Sequence, residues 1–236
     1  MNTEAKPFFP LKGNEKKIIR NRVLPSVLCN HILNQGRLDN FLDIGVDNGF
    51  VSQKIRTFFN TSFAVEPATI ADQEKIKDFT YVINTTWQDW FENATPMFFD
   101  FILVSHSLYY LEDVNNAIEQ ITSRLKSKGT ACFILEDEHS GKINLLKSLG
   151  ETVDFIPSEA IIRELEKRNL KVSNERVTID IVFDDIKQIF EAFNNFLGRD
   201  PTREDDDLRE YIGSYIKPVT HGFKWMRNNI VIVASN

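Results

Sequence analysis

The sequence predicts an α/β fold built on a doubly wound, mostly parallel sheet of seven strands, with a helical insertion toward the carboxyl end. Three observations carry this. From residue 41 onward, short apolar runs alternate with amphipathic stretches, the pattern of repeated βαβ units. The first of these runs ends in a glycine-punctuated turn ahead of a helix, the place where an open α/β sheet binds ligands. A length of 236 residues with 42% apolar content fills one ordinary domain with its own core, with room for an insertion but not for two independent domains.

Residues 14–36 place Ile18, Ile19, Val23, Leu24, Val27, Leu28, His31, Ile32 and Leu33 close to helical spacing, interrupted by Pro25. A helix pair is expected there, making residues 1–36 an N-terminal lid. Strands follow at 41–44, 62–65, 81–83, 99–104 and 130–135, within a core of residues 37–136. The clearest helix runs from Asp113, an N-cap candidate, to Lys126, with Gly129 just beyond its end. After Leu135 the rhythm changes. A helix at 141–149 leads to a second, opened by Pro157 and Ser158 and running to Asn169. A long β-type stretch at 170–183 and helices at 186–197 and 204–216 complete an insertion of residues 137–220, and residues 221–236 close the chain with a strand over 223–234. Within the insertion Phe183, Phe190, Phe193 and Phe196 fall near helical spacing and read first as core.

Composition narrows the partners. A net charge of -6 and a pI near 5.3 give no basic field for gathering phosphates, which argues against nucleic acid. Cys29 and Cys132 lie far apart without metal-ligand spacing, so both read as buried thiols in a reducing cytoplasm and no metal is expected. Residues 1–11 are polar and proline-broken, unlike a signal peptide, and no run approaches membrane-spanning length. A cytoplasmic chain with no membrane partner is expected. Nothing in the sequence sets its oligomeric state.

The chemistry is concentrated in four segments. The first is the turn D-x-G-x-D-x-G formed by Asp43, Gly45, Asp47 and Gly49, where the glycines let a backbone approach a nucleoside closely. A dinucleotide pyrophosphate needs bare N–H groups and would be repelled by Asp43 and Asp47. Carboxylates there suit a ligand with an ammonium and a sulfonium, the charges of S-adenosylmethionine. The second is Glu66, which ends the next strand and can accept both hydroxyls of a ribose; the plainer reading is a surface acid at a strand end. The third is residues 84–89, where Thr86 and Trp87 supply a hydroxyl and an aromatic face for an adenine, although Trp87 is equally a core residue. In the fourth, residues 103–113, a buried strand runs out into Ser105, His106, Tyr109 and Tyr110.

With these segments in register the chain resembles class I S-adenosylmethionine-dependent methyltransferases, whose usual loop is D/E-x-G-x-G-x-G; Asp47 stands here at the middle glycine. Within that superfamily it is similar to the histamine N-methyltransferase family from about Leu24 to the C-terminus. Three stretches carry the likeness: Asp100-Phe101-Ile102 through Leu108-Tyr109-Tyr110 to Asp113; Ser140-Gly141 to Gly150; and Phe155-Ile156-Pro157-Ser158 opening a helix, with Asn228-Asn229 before the final strand. The resemblance implies a Rossmann-like methyltransferase fold with an antiparallel last strand. It also implies S-adenosylmethionine as cofactor, S-adenosylhomocysteine as product, and a small-molecule acceptor whose methylated atom is an amine nitrogen.

Carried over by residue, the resemblance puts Gly45 and Glu66 on the cofactor, and the turn itself adds Asp43, Asp47 and Gly49. Thr86 or Trp87 falls near its adenine and Ser105 beside its methionine portion. His106, Tyr109 and Tyr110 fall on positions that line the amine pocket, while Lys142 and Leu146 replace aromatic walls, which leaves histamine itself out. Glu15 and Asn228 are loose counterparts of the family's amine-binding carboxylate and last-strand asparagine.

Methyl transfer from a sulfonium is an in-line displacement, so positioning and desolvation are the protein's main contributions. A neutral amine offers its own lone pair. A phenol or thiol wants a proton acceptor, for which His106 is the candidate; otherwise His106 only hydrogen-bonds. Tyr109 and Tyr110 offer an aromatic wall for cationic groups, one of the pair being core, and Tyr109 joins His106 as a catalytic candidate. His139 and His221 can enter from the insertion or the last loop. Two other functions stay open. A protein or RNA methyltransferase would show an open groove or a basic surface, and a non-catalytic binder would hold S-adenosylhomocysteine tightly without turnover.

Overall fold

A computed structural model of the chain describes residues 23–33, 38–46, 49, 51–67, 76–151, 153, 155–197, 199–200, 205–220 and 222–236. Its first half carries α1 (Val23–Leu33), β1 (Asn40–Ile44), α2 (Ser52–Ile55), β2 (Thr61–Val65), β3 (Tyr81–Ile83), α3 (Trp87–Asn93), β4 (Phe99–Ser105) and α4 (Val114–Ser123). The second half carries β5 (Leu125–Glu136), α5 (Gly141–Ser148), α6 (Ser158–Glu166), β6 (Lys171–Phe183), α7 (Ile186–Phe196), α8 (Asp206–Tyr215), β7 (Lys217–Val219) and β8 (Gly222–Ser235).

The strands form one sheet in the order β3-β2-β1-β4-β5-β8-β6, with β7 paired to β8. The pairs from β3 through β5 are parallel. The last long strand is antiparallel to β5: Asp137 N–H donates to the Asn228 carbonyl at 2.9 Å, while the Asn236 side chain reaches the Lys126 carbonyl at 2.8 Å. Because the order reverses between β1 and β4, their carboxyl ends flank the switch point where such sheets bind ligands. This is the fold class the sequence predicts, with one addition. The three-residue β7, holding Pro218, is an eighth strand too short to leave a periodic signal.

The described residues divide into two compact units, those within 22–135, 155–177 and 230–236 in one and those within 136–154 and 178–229 in the other. In the larger unit β1 and β4 are buried along most of their length, which is why they read as mostly apolar runs. Leu42, Ile44, Ile102 and Val104 share a core with Ile118 and Ile121 of α4. Asp113 caps α4 as the sequence suggests, accepting the Asn116 N–H at 3.0 Å. The helix ends earlier than expected, at Ser123, because β5 already begins at Leu125. Phe99 pairs with Leu125 but Phe101 with Thr130, so the intervening residues form an irregularity in the ladder. Gly129 belongs to that irregularity and not to a helix end: a Cβ there would lie 2.7 Å from the Phe99 carbonyl oxygen. Pro25 sits in the first turn of α1, where its missing N–H is not needed, so it does not interrupt this helix. The remainder of the expected lid lies outside the described residues.

The smaller unit has an aromatic core. Phe193 packs against Trp225 at 4.7 Å between ring centroids, Tyr211 at 5.9 Å and Phe183 at 6.2 Å, with Phe190 buried beside them. The Tyr211 hydroxyl donates to the Gly141 carbonyl at 2.6 Å and accepts the Trp225 indole N–H at 3.1 Å. Burial pushes the Tyr211 phenol up to about 12. Of the two thiols, Cys132 is fully buried and Cys29 only half-buried, which corrects the expectation for Cys29. Among the described residues no helix is long and apolar enough to cross a membrane.

Candidate functional site

The site begins where β1 stops. Gly45 follows the strand with φ of 75°, a left-handed conformation that would cost an L side chain about 1–2 kcal/mol. A Cβ at that position would also lie 2.3 Å from the Cβ of Ser107. Glycine is therefore required both by the backbone and by the close approach of the turn after β4. Gly45 N–H donates to the Val65 carbonyl at 2.9 Å, tying the turn to β2. Gly49 is left-handed as well, with φ of 65°; its N–H donates to Val46 and its carbonyl accepts Gln53 N–H, each at 2.8 Å, which leads the chain into α2.

Two carboxylates stand at these strand ends. Asp43, 2% exposed, lies on β1 opposite Ala64 in the β2 register. Glu66 is half-buried directly after β2, its N–H donating to the Ile83 carbonyl at 3.1 Å. Asp47, Glu15 and His221 lie outside the described residues.

The neighbouring β4 ends in Ser105, which is half-buried. His106 follows with φ of 55°, and its N–H donates to the Ile134 carbonyl at 2.9 Å. Ser107 is buried, and its hydroxyl donates to the Ile44 carbonyl. A single turn of 3-10 helix at Leu108–Tyr110 then separates the two tyrosines: Tyr109 packs against the core, and Tyr110 is exposed. The structure thus brings Asp43, Gly45, Gly49, Glu66, Ser105 and His106 to the carboxyl ends of the adjacent strands β1, β2 and β4 or to the turn after β1.

Thr86 and Trp87 are occupied otherwise. The Thr86 hydroxyl caps α3, accepting Asp89 N–H at 3.1 Å and donating to the Asp89 carboxylate at 2.7 Å. Trp87, 3% exposed, packs on Trp90 and donates its indole N–H to Gln120 at 2.9 Å. Of the two readings of Trp87 the core one describes its side chain, and the expected aromatic face for an adenine is corrected.

The remaining candidates belong to the smaller unit. The His139 side chain is 69% exposed, beside Glu138 at 3.4 Å. Lys142 and Leu146 are half-buried on α5, whose N-cap Ser140 accepts the Lys142 backbone N–H at 3.2 Å. Desolvation pulls the Lys142 amine down to about 8, the nearby Glu136 opposing and Arg227 reinforcing the shift. The Asn228 side-chain oxygen accepts the Thr178 hydroxyl at 2.8 Å.

Sequence reasoning assigned no site role to three residues here, Ser107, Glu136 and Asn229. Ser107 has no local signature, since only its approach to Gly45 marks it. Glu136, 4% exposed, is held by Arg227 and by the Ser140 hydroxyl. Its signal was the one used for Glu66, an acid ending an apolar strand. The side chain of Asn229 is fully buried, and neither of its polar atoms has a hydrogen-bond partner. Among the described residues no group of three or more His, Cys, Asp or Glu side chains gathers to hold a metal. The residues fit a cationic nucleoside, with acids at two adjacent strand ends and a turn between β1 and α2 bent by two left-handed glycines.

The chain is similar in sequence and fold to known proteins. A methyltransferase domain family matches residues 13–175. Nodulation protein S of Sinorhizobium fredii is 32% identical over 107 residues, which are 43% of this chain and 49% of that protein. The match thus spans about half the length of that curated relative. Among solved structures, the N-methyltransferase NodS from Bradyrhizobium japonicum WM9 in complex with S-adenosylhomocysteine superposes with a TM-score of 0.54 at 18% identity, covering 92% of this chain and 88% of that one. A SAM-dependent methyltransferase from Archaeoglobus fulgidus gives 0.57 at 15% identity, covering 91% and 94%. At such identities the two structures attest the shared fold alone.

Proposed function

We propose, from the premise that this chain belongs to the methyltransferase domain family, that it transfers a methyl group from S-adenosylmethionine to a small-molecule acceptor. The observation that carries the reading is the end of β1: a buried strand that stops at a left-handed glycine with Asp43 before it and Glu66 on the adjacent strand end. When bound, the cofactor supplies an electrophilic methyl on a sulfonium. Asp43 and Glu66 provide the charge that favours a cationic nucleoside, and the left-handed Gly45 and Gly49 bend the backbone of the turn beside it. Asp47 joins this group on the strength of the sequence, Ser105 is assigned to the methionine portion, and Thr86 stays near the adenine end by its place after β3.

His106 and Tyr109 are assigned to the acceptor. A neutral amine attacks with its own lone pair and sheds its proton afterwards, and the His106 imidazole is the proton acceptor in reach for a phenol or thiol. An amine nitrogen is the favoured target. It is supported by the N-methyltransferase activity that the NodS structure is named for. Glu15, Tyr110, His139, Lys142, Leu146 and Asn228 are assigned to acceptor recognition from the sequence resemblance alone. The pI near 5.3 speaks against RNA as the acceptor.

The test is a screen of polar amines, phenols and thiols with methyl-labelled cofactor, read by mass shift. Label on an amine nitrogen is expected. Label appearing only on protein or RNA would overturn the small-molecule reading, and cofactor binding without any transfer would make the chain a binder.

A further inference from the structure

The proposed reading puts the cofactor against the turn after β1 and the acceptor against the turn after β4, and one side chain joins those turns. The register between β1 and β4 runs to Asp43 and Leu103, one residue short of Ile44. Beyond it the Ser107 hydroxyl donates to the Ile44 carbonyl, extending the link past the ladder. The Ser107 Cβ also fills the space that a side chain at Gly45 would need, at 2.3 Å. Ser107 is 8% exposed, so water does not compete freely for this hydrogen bond.

The turn that contains Ser107 is strained and pinned. His106 holds φ of 55°, a region that non-glycine residues keep only where their surroundings over-determine it. Three contacts do so: His106 N–H on Ile134 at 2.9 Å, Tyr110 N–H on the Ser107 carbonyl at 3.1 Å, and the Ser107 hydroxyl on Ile44. The first two lie within the turn or bind it to β5. Only the third reaches the turn after β1. A ligand that fixes the backbone at Gly45 therefore fixes the acceptor of the Ser107 hydrogen bond, and with it the left-handed His106.

We propose that Ser107 is a positioning residue that couples the two turns, so that a nucleoside bound at Gly45 orders the turn from His106 to Tyr110. This rests on the proposed methyltransferase reading. It explains how binding at one turn prepares the acceptor side before the acceptor arrives, and linkage makes the effect reciprocal: acceptor binding tightens the nucleoside by the same factor.

Hydrogen exchange read by mass spectrometry on peptides covering 43–46 and 105–111 tests it, in the full chain, in Ser107→Ala and in Ser107→Thr, with and without S-adenosylhomocysteine. In the wild type the ligand is expected to slow exchange in both peptides. In Ser107→Ala exchange without ligand rises in both. With ligand only 43–46 is then protected, and affinity falls about five-fold, the loss of one buried hydrogen bond. Ser107→Thr, which keeps the hydroxyl, restores protection at 105–111. A Ser107→Ala chain that melts as a folded protein and keeps the full ligand-dependent protection at 105–111 overturns the coupling. A wild-type chain that does not bind S-adenosylhomocysteine overturns the methyltransferase reading and the coupling with it, so the two failures are told apart.

Discussion

In the larger unit the turn after β1 is tied through backbone groups, whereas in the smaller unit a buried carboxylate is tied to other side chains. At the end of β1 the Gly45 N–H donates to the Val65 carbonyl and the Ile44 carbonyl accepts the Ser107 hydroxyl. In the smaller unit a carboxylate that is 4% exposed, Glu136, is held by the guanidinium of Arg227 and the hydroxyl of Ser140. Backbone-built turns tolerate changes in side chains but not in conformation. Side-chain networks are the reverse, because removing one partner strands another in a place water does not reach.

The sharpest way to break this contrast is Arg227→Ala. It takes the guanidinium from a carboxylate that is 4% exposed and should lower stability by about 3–5 kcal/mol in urea denaturation. Gly45→Ala comes next, because it forces an L residue into φ of 75° and against Ser107. It should lose about 1–2 kcal/mol from the backbone alone, with S-adenosylhomocysteine affinity falling beside stability. An Arg227→Ala loss smaller than that of Gly45→Ala would erase the distinction between the two regions.

Asn229→Leu sharpens it with the opposite sign. Neither polar atom of this fully buried amide has a hydrogen-bond partner, so replacing it with an apolar side chain of similar size should raise stability by about 1 kcal/mol. Thermal unfolding checks this. A lower midpoint would mean that the amide does bond within the fold.

The smallest expected effect is a pH dependence. The Lys142 amine is lowered to about 8 from an ordinary 10.5, so between those values the unfolded chain binds more protons than the folded one. Stability should therefore rise with pH across that window, the burial of the charged amine being fully unfavourable below it. Lys142→Met should remove the rise, as urea midpoints at pH 8 and pH 10 would report.

The same contrast explains what the sequence made legible. The larger unit's turn could be read because its determinants are local: an apolar strand, Gly45, Gly49, and an acid ending the next strand. Asp113 and the helix it caps were legible for the same reason. The contact between Arg227 and Glu136 joins residues 91 apart and leaves no spacing to find. Ser107 becomes visible only when Gly45 is beside it. The start of β5 was misread because Leu125 and Lys126 continue the helical pattern, and pairing with Phe99 overrides it. Trp87 was ambiguous in principle, since an aromatic residue after a strand serves a ligand or a core equally well. The donor bond to Gln120 decides its side chain.

The central claim is that the acids at the ends of β1 and β2 hold the nucleoside of the cofactor, Glu66 through its ribose hydroxyls. Titration calorimetry with S-adenosylhomocysteine on the wild type and on Glu66→Ala tests it most directly. Binding by the wild type, weakened more than ten-fold in the variant by loss of a charge-assisted contact, is the expected result. Equal affinity in the two proteins would remove Glu66 from the site, and no heat from the wild type would contradict the account as a whole.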